Sequence, residues 1–191
     1  MMAELPDRSA GHADEPAERQ VSEAHIVAGL RSGSIKSLSD AYDRYGDLIY
    51  GVGYSLLREQ ADAEDLVHDV FVGLRRAIIT YEGRGSFEGW IKRVATRTAL
   101  MVLRQHRLRQ QSLLRNADRL KRQAPLPLVE HIDLDEALRR LSPDHRSVFV
   151  LKEMHGYAHE EIASMEGISV SAAKVRLHRA RRQLRKLLGD E

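Results

Sequence analysis

The residues best equipped for chemistry in this chain are cations at helical spacing near its C-terminus: Lys174, Arg176, Arg179, Arg181, Arg182, Arg185 and Lys186, with no acid among them. Guanidinium and ammonium groups donate hydrogen bonds and accept none, so their work is binding: phosphate oxygens by charge, base edges by N–H groups. Ahead of them stand a short helix, Glu160 to Met165, a turn at Glu166-Gly167, and a second helix that opens near Ser169. Helix, Gly-containing turn, basic helix is the pattern whose second helix lies in the major groove of duplex DNA. Ala173, Leu177, Ala180 and Leu184 recur at spacings of four and three, predicting a seam against Ile162, Ala163 and Ile168. Ser171, Lys174, Val175, His178 and Arg179 then face away toward base edges, with Ala172 beside them. Arg176, Arg181 and Arg182 point toward phosphates. One signal is missing: Ala158 stands where a Ser or Thr would complete a capping box with Glu161.

Other chemistries find no residues to carry them. The chain has no cysteine, which excludes disulfides, thiolate zinc sites and iron–sulfur clusters. His159-Glu160-Glu161-Ile162-Ala163 lacks the second histidine of a zincin helix, and His155 and His159 have no third ligand. The expectation is therefore no metal, no cofactor and no catalytic residue. A helical nuclease or deaminase would need clustered carboxylates or a His-x-Glu with cysteines, and neither is present. Aromatic residues at 5% argue against a single-strand reader built on base stacking. No run approaches the roughly 20 apolar residues of a membrane span, and MMAELPDRSAGHADEPAERQ does not read as a signal peptide. A cytoplasmic chain without membrane insertion or a small-molecule substrate is expected.

The net charge of +2 hides a segregation. Arg84 to Arg122 holds eleven Lys or Arg against two acids, Glu88 and Asp118. Glu59 to Asp69 holds five acids (Glu59, Asp62, Glu64, Asp65, Asp69) and no Lys or Arg. Opposite faces of this kind suit separate partners, nucleic acid for one and a basic surface for the other.

The elements that must position these groups are all helical, since no β-periodic run exceeds a few residues; the fold class is all-α. Residues 1–20 read as a disordered tail. Ser22 and Ser34 cap two helices, with Gly33 ending the first. The second carries the row Leu38, Tyr42, Tyr45, Ile49, Val52 and Leu56, with a break expected near Gly46. A third helix starts at Asp62 as cap and buries Leu66, Val67, Val70, Phe71 and Leu74, leaving Asp65 and Asp69 on one face beside His68. Ser86 caps a fourth helix, Phe87 to about Gln110, with Trp90, Ile91, Val94, Ala95, Thr98 and Val102 inward. Lys92, Arg93, Thr96, Arg97, Leu100, Met101 and Arg104 share its remaining surface. Pro125 and Pro127 mark 111–131 as an interdomain linker. Beyond it, Leu134, Ala137, Leu138 and Leu141 form one face, and Ser142-Pro143 starts a helix burying Val148, Phe149, Leu151 and Met154. The domains expected are thus 21–110 and 132–191.

Three segments in this order resemble the extracytoplasmic-function (ECF) group of bacterial sigma factors: DAEDLVHDVF is similar to the family's DAEDLVQEVF helix, GSFEGWIKRVA to its GSFxxWLxRIA segment, and LSPDHRSVFVLKEMHGYAHEEIASMEGISVSAAKVRLHRARRQLR to its promoter-reading domain. The resemblance spans roughly residues 22 to 188. It implies a region 2 bundle and a region 4 helix-turn-helix joined by a flexible linker. The implied partners are core RNA polymerase (clamp helices and flap of its two large subunits), promoter DNA and an anti-sigma factor. Asp62, Asp65, Leu66, His68 and Asp69 would dock on the clamp. Arg84, Lys92, Arg93, Thr96, Arg97, Leu100, Met101 and Arg104 would read and help melt the minus-ten element. Ser171, Ala172, Lys174, Val175, Arg176, His178 and Arg179 would read the minus-thirty-five element as duplex. The chain departs from the pattern at Arg97, where the family has Asn, at Met101, where it has Asp, and at His68, where it has Gln. The first two exchanges imply an unusual minus-ten preference with stronger nonspecific strand binding. A different reading of the same residues is a stand-alone helix-turn-helix regulator that binds duplex operator DNA through a palindromic site.

Overall fold

A computed structural model describes residues 22–116 and 133–189, and every element in them is helical. The expected N-terminal tail lies outside the described residues, as does most of the expected linker.

The first body is built from α1 (Glu23–Ser32), α2 (Ile35–Leu57), α3 (Gln60–Ala77) and α4 (Phe87–Asn116). Ser22 accepts from the His25 N–H at 3.3 Å to start α1, and Ser34 accepts from the Ser37 N–H at 3.2 Å to start α2. Each such cap is worth about 1 kcal/mol. The break predicted at Gly46 does not occur. A buried row of Ala41, Tyr45, Ile49, Val52 and Leu56 runs the length of α2. Burying one large apolar side chain contributes about 1.5–3 kcal/mol, more than the roughly 1 kcal/mol a helical glycine costs. Tyr45, Ile49, Val52 and Leu56 are buried as predicted, and the row departs only at its start, where Ala41 is buried and Tyr42 is 54% exposed. Gly53 has a positive use, because a Cβ there would lie 2.7 Å from Leu66 Cδ2, so its absence lets α3 cross close to α2.

Helix α3 begins ahead of Asp62. Glu59 occupies the cap position without a side-chain bond, and Asp62 sits in the first turn, 3.7 Å from His106 Nδ1 on α4. Leu66, Val67, Val70, Phe71 and Leu74 are buried as expected. The Gly-rich loop closes on a cluster of rings: Phe87 lies 5.4 Å from Tyr81 and from Tyr45, and 5.3 Å from Trp90. Ser86 accepts from the Gly89 N–H at 3.1 Å, and α4 then runs on past Gln110 to Asn116.

The second body comprises α5 (Leu134–Arg140), α6 (Pro143–Phe149), α7 (His159–Glu166) and α8 (Val170–Leu188). Asp133 and Ser142 cap α5 and α6, and a π-helical turn, Val150–Met154, extends α6. The seam of α8 is divided between two neighbours. Ala173 and Leu177 join the apolar cluster that holds Ile162, whereas Ala180 and Leu184 pack with Ala137 and Leu138 of α5 and with Leu141 just after it. Leu134 and Met154, expected inside, are about half exposed at the rim. The larger cluster does not stop at the boundary between the bodies: it joins Ile91, Ala95 and Leu103 with Val148, Leu151 and Tyr157.

Candidate functional site

The three surfaces singled out by charge sit on α8, α3 and α4. On α8, Ser169 accepts from the Ala172 N–H at 3.1 Å, and Gly167, at φ 69°, ends α7 in the left-handed region that a side chain disfavours. This turn separates α7 from α8. Ser171, Lys174, Val175, His178 and Arg179 are exposed together, and Ala172 is partly covered. Val175, at 45% exposed, is an apolar group left in solvent among cations, as expected of a residue that meets a base edge. Arg176 departs from the expectation. It is half-buried, 3.4 Å from Asp144 and 3.9 Å from Glu166, so its guanidinium ties α8 to α6 and α7. Arg181 is likewise engaged, by Glu153 at 2.5 Å. At the start of α7 only half a capping box forms: the Ala158 N–H donates to the Glu161 carboxylate at 2.9 Å, and Ala158 returns nothing.

On α3, Asp65, His68 and Asp69 project from one exposed face. Leu66, placed with them by sequence, is 1% exposed and belongs to the core. Asp62 is partly covered beside His106. The structure adds what the sequence reading missed: a cleft of about 320 Å³ between α2 and α3, where Asp43, Asp47, Tyr42 and Tyr50 of α2 face Glu64 and His68. Carboxylates and tyrosine rings in one cleft suit a guanidinium or ammonium group. The signal lay in the spacing of Asp43 and Asp47, four residues apart on a face that Tyr42 shares.

On α4, Arg84 in the preceding loop and Arg93, Arg97 and Met101 on the helix are exposed, and Arg84 lies 3.2 Å from Glu82. Lys92 is partly covered, whereas Thr96 and Leu100, predicted to face outward, are buried at 0% and 3% exposure. The cause is the second body, which lies on this face. Thr96 Oγ1 donates to the Lys92 carbonyl at 2.9 Å and lies 3.2 Å from Tyr157 Oη, and Arg104 donates to the Met165 carbonyl. The inward set is corrected accordingly: Ile91, Ala95, Ala99 and Leu103 are buried, whereas Trp90, Val94, Thr98 and Val102 are partly covered. Among the described residues no helix is long and apolar enough to cross a membrane.

Comparison with known proteins bears on all three surfaces. The Sigma-70 region 2 family matches residues 41–109, and the Sigma-70 region 4 family matches residues 131–184. The chain is 33% identical to the ECF RNA polymerase sigma factor SigE of Mycolicibacterium smegmatis over 91% of its own length and 70% of that protein's. It is 32% identical to the RNA polymerase sigma factor CarQ of Myxococcus xanthus over 84% of its own length and 94% of that protein's. Among solved structures, the sigma factor RpoE, in its complex with the anti-sigma factor NepR from Bartonella quintana, is similar in fold, with a TM-score of 0.57 at 20% identity over 81% of this chain and 98% of that one. CnrH, in its complex with the cytosolic domain of CnrY, gives a TM-score of 0.54 at 24% identity over 88% and 98%.

Proposed function

The chain belongs to the ECF RNA polymerase sigma factors, and on that premise we propose that its three charged surfaces divide the work of promoter-specific initiation. The exposed face of α3 (Asp65, His68 and Asp69), continued by the Asp43 and Asp47 cleft, docks on a basic coiled coil of core RNA polymerase, the clamp helices. The first body, region 2, reads the minus-ten element with the Arg84, Arg93, Arg97 and Met101 surface. The second, region 4, reads the minus-thirty-five duplex with Lys174, Val175, His178 and Arg179. Region 2 spans 21–110 and region 4 spans 132–191, joined through 111–131. The protein works in the cytoplasm as an initiation subunit with no catalysis of its own. An anti-sigma factor that holds both regions controls it; RpoE, similar in fold, is in complex with the anti-sigma factor NepR in its own structure.

The observation that carries this reading is the coexistence of an acidic face on α3 with two basic DNA-facing helices in one chain. A stand-alone regulator has no use for the acidic face. Band-shift assays on promoter fragments test it: the free chain binds weakly and without preference, and specificity appears once core polymerase is added. Tight, palindrome-dependent binding by the free chain would contradict the reading.

A further inference from the structure

We propose that the arginine cluster formed where α2 and α4 meet α5 and α6 is a binding site for a small phosphate-type dianion, distinct from the polymerase and promoter surfaces. Its guanidiniums come from Arg58, Arg107, Arg139 and Arg146, and its carboxylates from Asp135 and Asp144.

The two carboxylates already have partners. Arg58, at the end of α2, pairs with Asp135, and Arg139 Nε meets the other oxygen of Asp135 at 3.0 Å. Arg139 also donates to Tyr54 Oη at 2.7 Å, and the Arg58 guanidinium lies 5.7 Å from the centre of the Tyr54 ring. On the other side, Arg107 of α4 lies 2.6 Å from Asp144, whose second oxygen faces Arg176 at 3.4 Å. Arg146 of α6 has no carboxylate in salt-bridge reach among the described residues, and the charges that act on it are those of Arg58, Arg107 and Arg139.

Arg146 is the informative residue. It is 8% exposed with its Nε unpaired; Arg58, equally buried, leaves Nε and Nη2 unpaired, and Arg107 leaves Nε. Burial, and then the neighbouring cations, pull the Arg146 guanidinium down to about 10, so it is still charged at neutral pH. Buried charges are ordinarily paired, and a buried guanidinium whose neighbours are cations is destabilising. Arg58 adds a backbone penalty: it ends α2 at φ 61°, the only non-glycine residue at positive φ among those described, where an L side chain is disfavoured. Two independent penalties thus fall on one group of arginines that neither the α3 face nor the base-facing side of α8 uses.

The charge count selects the ligand. Four guanidiniums against two carboxylates leave two positive charges, with Arg176 balanced by Glu166. A phosphate-type dianion supplies that charge, and its oxygens suit the planar N–H forks of arginine. The burial of Arg58 and Arg146 keeps a DNA backbone out, whereas the half-exposed Arg139 and Asp135 form a rim that a small anion can pass. An occupant draws on α2 and α4 of region 2 and on α5 and α6 of region 4, so it ties the two regions together.

Isothermal titration of the full chain with sodium pyrophosphate tests this, with sodium chloride at equal ionic strength as the control. The expected result is a single saturable site, and a melting temperature that rises with pyrophosphate along the same saturation curve but not with chloride. Inorganic phosphate should do the same more weakly. Arg146→Gln should abolish the saturable heat. Arg139→Gln, at the exposed rim where the fold does not depend on it, should weaken pyrophosphate affinity several-fold. Arg76→Gln, which removes an exposed cation of α3 far from the cluster in sequence, should bind as wild type does. No saturable heat in wild type, an equal rise in melting temperature with chloride, or binding undiminished in Arg146→Gln and Arg139→Gln would overturn the proposal. None of these results alters the core-dependent DNA binding that tests the function.

Discussion

Helices α4 and α8 are both long, basic and amphipathic, yet they present their cations differently. Helix α8 packs along one seam, Ala173-Leu177-Ala180-Leu184, and the opposite side is open at Ser171, Lys174, Val175, His178 and Arg179. Helix α4 is covered by both bodies: Ile91, Ala95 and Leu103 lie in the apolar cluster that the two share, and Thr96 lies beneath Tyr157 of region 4. Periodicity identifies a helix with one buried side readily. It says little about a side that is covered by a separate body, because such a side can carry threonine, leucine and the stems of arginines and still be packed.

The sharpest way to test this contrast is to truncate one residue on each side of α4. Ile91→Ala, at a fully buried position, should lower region 2 stability by roughly 2–5 kcal/mol in denaturant titration, whereas Met101→Ala, at 53% exposure, should stay within about 0.5 kcal/mol. Equal effects would mean that the exposed side of α4 is misplaced.

Next in size are the cations proposed to meet DNA. Lys174→Ala and Arg179→Ala should each lower promoter-dependent transcription by the equivalent of about 1–3 kcal/mol while core polymerase still co-purifies. Arg97→Asn should act differently: nonspecific single-strand affinity falls, and the salt slope drops by about 0.7, the value for one phosphate contact on a single strand. Fluorescence anisotropy over a salt series separates the two behaviours.

Capping provides a smaller test within region 4. Ser169→Ala removes the bond to the Ala172 N–H and should cost about 1 kcal/mol. Ala158→Ser should return a similar amount by completing the box with Glu161. Thermal melts of the two variants should move in opposite directions.

The smallest effect concerns pH. Burial, and then the Lys92 charge on α4, lower His155 to about 4, against about 6.5 for an exposed imidazole. Its other neighbour, Ser55 on α2, does not titrate in this range. The closed packing needs the neutral ring, so its contribution is complete above about pH 6.5 and is lost as pH falls through 4. The melting temperature of the full chain should therefore be flat from pH 7 to 8 and fall on acidification. A His155→Gln chain should lose that dependence.

Much of this was legible before any coordinates. Ser22, Ser34, Ser86 and Ser142 each cap the helix they were expected to cap, because a cap is a local bond between a side chain and the next turn. The exposed face of α8 followed from its apolar seam. What failed was non-local. Helix α2 continues through Gly46, and Ala41 rather than Tyr42 is buried at the start of its row, because partners that the row does not name cover that side. Leu66 was expected in the core and is buried there against Gly53, which removes it from the docking set in which the family resemblance had also placed it. Arg176 reads as a DNA contact in sequence, and only folding brings Asp144 and Glu166 to it. The cleft at Asp43 and Asp47 was overlooked because the acids of α3 are denser, although the two join the same surface.

The account stands on separate surfaces for polymerase and promoter, and run-off transcription with purified core polymerase tests that most directly. Reactions would compare the wild-type chain, Asp65→Lys on α3 and Arg179→Ala on α8 on the same genomic promoter fragments. The account predicts a promoter-specific transcript from wild type only, with core binding lost in the α3 variant and kept in the α8 variant. A contradiction would be no specific transcript from any fragment, or a loss of core binding on changing Arg179.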